Sequence, residues 1–287
     1  MKLFRGSQVP AATDPEVKAG PDSGPVIVLA DEHGADALDW AAAEAAARGS
    51  ELRIVHAFRW PRVFDPFGTS MVDLTAREAA EAVVTAAAGR AARIAPSLRV
   101  TTNVHTGRQI TALVAEARKD QRALVVLGHN RGLQRTLVRR LIRRTSASIA
   151  VIGLSATRAI GPSAGRVVVG VDRVGGPPEA LGYAFRAARR RGTGLTVVHA
   201  TWSVVPPDIE DAVRIWQMAY PDVDVRWDFA IGPSDSVVLA ESAAAALTVL
   251  GPDRHGRLHQ ALRGSSSYDV LRLARGPVVM VGATAGG

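Results

Sequence analysis

Residues 24–60 read GPVIVLADEHGADALDWAAAEAAARGSELRIVHAFRW, and the fold turns on the fact that this passage is written twice. Its second version, GRVVVGVDRVGGPPEALGYAFRAARRRGTGLTVVHATW, fills residues 165–202. Asp31 answers to Asp172, the Gly49 turn to the Gly192 turn, and VHAFRW to VHATW. Further on, ALVVLGHNRGLQRTL at 123–137 has its counterpart in ALTVLGPDRHGRLHQAL at 246–262. Repetition over such a distance marks two copies of one structural unit.

Within a copy the grammar is β-α-β-α-β-α-β-α-β. Short runs of Val, Ile and Leu with little polar alternation read as strands buried on both faces. They are expected near 26–31, 51–57, 99–104, 123–127 and 148–152, and again near 166–171, 194–199, 223–229, 246–250 and 277–281. The segments between them carry helical spacing, as in Leu38, Ala41, Ala42 and Ala45. Strands alternating with helices imply parallel sheets with right-handed crossovers. The expected fold class is therefore α/β, with two doubly wound domains. Each would be a five-stranded parallel sheet with helices on both faces. Domain one is expected at 24–153 and domain two at 165–284, joined by a linker at 154–164. Residues 1–23, rich in Pro, Ala, Gly and Asp, read as a flexible tail.

In such sheets ligands settle beyond the C-terminal strand ends, where the strand order reverses. Asp31 and Asp172 are expected at those ends, with the loops that follow the second and fourth strands. Gly251 ends a strand where a missing side chain admits a ligand to the backbone. Gly264-Ser265-Ser266 opens the last helical segment, where free N–H groups and hydroxyls suit an anion. The alternative is an ordinary N-cap at Ser265 or Ser266, supported by Asp269.

These residues together resemble a tandem universal stress protein, and the resemblance covers residues 24–284. In that family a domain ends with Gly-x-x-Gly, nine residues, then Gly-Ser/Thr, in the loop and helix that bind ATP. Gly251, Gly264 and Ser265 match in register; Arg254 stands at the second glycine, with Gly256 close by. The resemblance implies that Asp172 and Ala200 lie near the adenosine. It also implies an adenine nucleotide alpha hydrolase-like fold whose last strands pair, joining the domains about a pseudo-twofold axis. Copy one departs further. Asp31, Ala57 and Gly128 are kept, Arg131 replaces the second glycine with Gly132 beside it, and Leu141-Ile142 falls where Gly-Ser should be. A weaker, degenerate nucleotide site is expected there.

Copy one instead carries arginines at 131, 135, 139, 140, 143 and 144, with no Asp or Glu from 121 to 171. Like charges at i,i+4 repel, so either an anionic partner or carboxylates from the other half or a dimer mate should neutralise them. Net charge is +8 and the sequence pI about 10.8. That balance permits nucleic acid, anionic membrane or nucleotide as partners, or reflects an arginine-rich proteome alone. Of these, nucleic acid is the less favoured partner.

Several chemistries lack their motifs. There is no Gly-x-x-x-x-Gly-Lys-Ser/Thr, no Gly-x-Gly-x-x-Gly after a first strand and no Gly-x-Ser-x-Gly elbow. Cysteine is absent, so neither a disulfide nor a thiolate metal site is available. His255 and His259 are four apart without a third ligand nearby, and His56 and His199 read as packing residues. No catalytic constellation is visible, so weak, incidental ATPase activity is the most that is expected. With no apolar leader or spanning segment, a cytoplasmic location is expected. The implied role is a stress-response module that binds ATP or another adenine nucleotide, mainly in domain two, with magnesium as an optional companion. The competing role is a ligand-free dimerisation or interaction scaffold without cofactor. A homodimer is open in both readings.

Overall fold

A computed structural model describes residues 22–31, 34–59, 71–128, 134–153, 163–171, 178–200, 207–232, 234–251, 270–271 and 273–282. Ten strands form one sheet. In chain order they are β1 (Val26–Leu29), β2 (Leu52–Phe58), β3 (Val100–Thr106), β4 (Leu124–Gly128), β5 (Ser148–Ile152), β6 (Val167–Gly170), β7 (Leu195–Ala200), β8 (Val225–Ala230), β9 (Leu247–Leu250) and β10 (Val278–Met280). Every strand lies within two residues of its expected place at each end. The helices between them are α1 (Ala35–Arg48), α2 (Met71–Ile94), α3 (Gln109–Ala117), α4 (Gln134–Arg144), α5 (Pro178–Arg191), α6 (Pro207–Ala219) and α7 (Ser234–Ser242). A further helical segment leads into β10 around residues 270–273.

The strand order is β3-β2-β1-β4-β5-β10-β9-β6-β7-β8. All neighbours are parallel except the central pair, where Val278, Val279 and Met280 run antiparallel to Val151, Ala150 and Ile149. Each half is thus a doubly wound five-stranded unit, and the two meet edge to edge. Alternate strand residues serve opposite faces. Val26 and Val28 belong to the core layer that also holds buried residues of α1, α2, α5 and α6, while Ile27 and Leu29 belong to the layer with those of α3, α4, α7 and residues 270–274. This explains the unbroken apolar runs: neither face of a central strand sees water.

The repeat also fixes local geometry. α1 ends at Gly49 (φ 63°), whose N–H reaches back to the Ala45 and Ala46 carbonyls. α5 ends the same way at Gly192 (φ 60°), which bonds Arg189 O at 3.1 Å. Left-handed backbone at a helix end is where glycine is cheapest. Two other glycines serve close approach. A Cβ on Gly153, after β5, would run into the Arg275 carbonyl, and one on Gly282, after β10, into the Ser146 carbonyl. They occupy equivalent positions on either side of the central seam.

Where α1 and α5 face each other across that seam, an ion cluster ties the halves together. Glu44 binds Arg48 at 2.7 Å and accepts from Arg191, while Arg190 approaches it at 3.7 Å. Arg48 also donates to the Tyr183 hydroxyl. Asp22 accepts from Arg186 at 2.8 and 3.0 Å and from Arg190 at 3.0 Å. Asp22 belongs to the stretch expected to be a tail; residues 1–21 lie outside the described residues. Burial by itself would raise the Asp22 and Glu44 carboxyls, but the surrounding arginines outweigh it and both are held below their ordinary values. Burial pushes the Tyr183 hydroxyl up to about 12.

These shifts predict a pH window. A depressed carboxyl contributes stability above its unfolded value and loses it as pH falls through the folded one. A raised phenol contributes below its unfolded value and loses it as pH rises. Urea midpoints should therefore be level at neutral pH. They should fall once pH drops below the unfolded values of 3.8 and 4.5, and fall again between 10.0 and about 12. An acid limb that disappears in Glu44→Gln would assign it to this cluster.

Candidate functional site

The strand order reverses between β1 and β4 and between β6 and β9, giving each half one crevice. In the first half β1 leads through Ala30 to Asp31. Gly34 N–H donates to Asp31 O at 3.2 Å, and a Cβ on Gly34 would stand 2.9 Å from Asp31 Oδ1. Glycine at that position lets the carboxylate lie against the start of α1. Gly128 ends β4 on one side, and Ala57, near the end of β2, flanks the other. Ala57 lies opposite His105 of β3 in the strand register.

In the second half β6 ends at Gly170, against Val238 of α7, and Val171 follows. Ala200 closes β7 opposite Ala230, and Gly251 follows the end of β9. Ala200 and Gly251 thus flank the strand that leads to Asp172. Asp172 itself, Arg254, Gly256, Gly264, Ser265 and Ser266 lie outside the described residues, as do Arg131 and Gly132 of the first half. His255 and His259 lie outside them too. Among the described residues no group of three acidic or histidine side chains could hold a metal ion.

The two repeat-equivalent histidines have a definite task. His56 Nδ1 bonds Ala30 O at 2.8 Å, and His199 Nδ1 bonds Val171 O at 2.7 Å. Each carbonyl therefore fixes Nδ1 as the donor nitrogen. Alongside, Ala30 N–H reaches Val55 O at 2.8 Å and Val171 N–H reaches Val198 O at 2.9 Å. The chain is thus gripped from two sides one residue before Asp31 and one residue before Asp172. Each histidine thus holds the residue that immediately precedes an aspartate in the sequence. Sequence reading assigned them to packing, which holds for the buried His199. The twice-written Val-His-Ala, placed one strand away from each aspartate, was the signal for more. Neither ring contacts a hydroxyl among the described residues, so no nucleophile and base pair is assembled here.

Small residues stand at the C-terminal rim of the strands: Ala30, Ala57 and Gly128 in one half, Ala200 and Gly251 in the other.

Arg139, Arg140, Arg143 and Arg144 are exposed, while Leu137, Val138 and Leu141 face the core. Of the alternatives open for neutralising them, carboxylates of the other half are not met: among the described residues none of the four has an ion-pair partner, which leaves an anionic partner or a dimer mate. The reason is position. The carboxylates that cross the seam do so between α1 and α5, on the opposite face of the sheet.

Comparison with known proteins gives a consistent answer. The model of the universal stress protein family matches residues 26–155. A universal stress protein of Mycobacterium tuberculosis is 30% identical over 278 residues, covering 84% of this chain and 90% of its own. A second from the same organism is 29% identical over 297 residues, covering 85% and 90%. Among solved structures, a universal stress protein from Archaeoglobus fulgidus superposes with a TM-score of 0.69 at 14% identity, covering 92% of this chain and 97% of that one. No helix among the described residues is long and apolar enough to cross a membrane.

Proposed function

The chain belongs to the universal stress protein family, and from that premise we propose that it binds ATP or another adenine nucleotide, mainly in the second half, without catalysing a reaction on it. The observation that carries this reading is the paired crevice itself. A carbonyl-pinned loop leads to Asp172, flanked by the small residues Ala200 and Gly251. The sequence beyond Gly251 supplies Gly264, Ser265 and Ser266 at the family's spacing, where helix N–H groups and hydroxyls suit a phosphate. Domain one at 24–153 keeps Asp31, Ala57 and Gly128 but has Leu141 and Ile142 at the Gly-Ser positions. Leu141 is buried in the core, so no phosphate donor is gained there. Domain two at 165–284 then carries the one well-ordered nucleotide, and the role is that of a stress-response module in the cytoplasm.

Calorimetry with ATP on the full chain tests this. Saturable binding is expected at up to millimolar ATP. Gly264→Val should weaken it by about 1–3 kcal/mol, because a β-branched side chain leaves a phosphate oxygen under-bonded. Arg140→Ala should leave it unchanged. Absence of binding would favour the ligand-free scaffold, and loss with Arg140→Ala but not Gly264→Val would move the site to the first half.

A further inference from the structure

We propose that the exposed face of α4 is a docking surface for a nucleic-acid backbone, bound without regard to base sequence. Arg139 and Arg143 lie one helical turn apart, as do Arg140 and Arg144, and all four are exposed. Arg118, just after α3, brings a fifth guanidinium beside them, donating its Nε–H to Arg144 O at 3.2 Å. The nearest acidic residues in sequence are already engaged. Glu116 is buried against His105 and Lys119, and Asp120 is paired with Arg122. Like charges one turn apart oppose helix formation, a standing cost in the free protein that an anionic partner removes.

An arginine-rich composition does not account for this face, because the same chain treats α5 differently. Arg186, Arg189, Arg190 and Arg191 each have a carboxylate partner, drawn from Asp22, Asp222 and Glu44. Arginines of equal density on α4 have none among the described residues. Nor does the face belong to the nucleotide crevice. α4 runs from the C-terminal rim of β4 back toward the start of β5, and Arg139 to Arg144 lie roughly 7–15 Å along it from Gln134. The positive surface therefore lies away from the crevice end.

The chemistry of the face selects the partner. Protein interfaces are organised around an apolar or aromatic anchor with charges at the rim. From Leu137 to Arg144 the apolar side chains are turned wholly or partly into the core, and the exposed positions are arginine alone. A phosphate backbone requires only such cations, and the guanidinium fork matches phosphate oxygens two at a time. With no aromatic on α4 to stack an unpaired base, a duplex is the fitting form.

Fluorescence anisotropy with a 20-base-pair duplex of arbitrary sequence and no added nucleotide tests the proposal. Saturable binding is expected at 50 mM salt, with a log–log salt slope of about −3.6 for four phosphate contacts. Raising salt to 200 mM should weaken binding on the order of 10²-fold. Arg140→Gln should make the slope shallower by about 0.9. Replacing Arg139, Arg140, Arg143 and Arg144 together by glutamine should abolish binding with an unchanged or higher Tm, which separates loss of the surface from loss of the fold. Gly264→Val should bind the duplex as the parent does, so this surface stands or falls apart from the nucleotide reading. No duplex binding at 50 mM salt would overturn it, as would a flat salt response or undiminished binding by the quadruple variant. Polyglutamate or anionic phosphatidylserine vesicles binding at least as tightly as the duplex would assign the face to an acidic protein or a lipid surface instead.

Discussion

Glutamine in place of Glu44 is expected to lower the free energy of unfolding by about 3–5 kcal/mol, the cost of leaving a buried cation without its counter-ion. The side chains of Glu44 and Arg48 are each only 2% exposed, and they meet at 2.7 Å. Without the carboxylate, Arg48 keeps the Tyr183 hydroxyl and a long contact of 3.5 Å to the Asp22 carbonyl. Arg190 and Arg191 lose the same partner. The guanidiniums of Arg48, Arg186 and Arg190 would then have Asp22 as their one nearby carboxylate among the described residues, and Arg191 would have lost its own, in a place water reaches poorly. The exposed pair Arg77–Glu81, at 68% and 54% exposure, provides the comparison. Glu81→Gln should cost less than about 1 kcal/mol, because solvent screens such pairs and the chain must order two side chains to form them. Urea unfolding of both variants decides the matter. Similar small losses would mean the cluster opens to water.

Gly282→Val is expected to destabilise by about 3 kcal/mol or more, and Gly153→Val by a comparable amount. At both sites the new Cβ would strike main-chain atoms rather than a flexible side chain: the Ser146 carbonyl in one case, the Arg275 carbonyl in the other. Backbone at the end of a packed strand cannot step aside without giving up the β5–β10 pairing. Gly89, inside α2, has nothing within 4 Å of where a methyl group would stand, and gives the opposite sign. Gly89→Ala should stabilise by about 0.5–1 kcal/mol through helix propensity. Hydrogen exchange locates the damage. In Gly282→Val the amides of β5 and β10 should lose protection before those of β1 and β6, and uniform loss would show that the seam is not the weak point.

Much of the architecture was legible because it rests on periodicity. Val26 to Leu29 and Val167 to Gly170 announce buried parallel strands by lacking any polar alternation. The two copies then check one another, position against position. Gly49 and Gly192 marked helix ends because few other residues accept that backbone. What escaped the sequence depends on distance in the fold. Asp22 and Arg186 are 164 positions apart in the chain, and nothing local in either residue announces the other. The fate of Arg139 to Arg144 was open for the same reason: whether a carboxylate reaches them depends on which face of the sheet each helix takes. The histidines lay between these cases. Their repetition was visible, but the carbonyl that each one grips belongs to the stretch following a neighbouring strand.

The antiparallel junction of β5 and β10 also sets a schedule. β5 is complete at Ile152, and its partner ends at Met280. On a ribosome adding about 5–20 residues per second, the outer edge of β5 waits roughly 6–25 s for the strand that covers it. During that interval the nascent first half presents an unpaired apolar edge, and another nascent chain offers an identical one. The tether through residues 154–277 favours the correct outcome by keeping β10 at a high local concentration once it is made. Slowed translation of the second half should therefore raise the yield of chains joined β5 to β5 between molecules, read as covalent dimers after cross-linking.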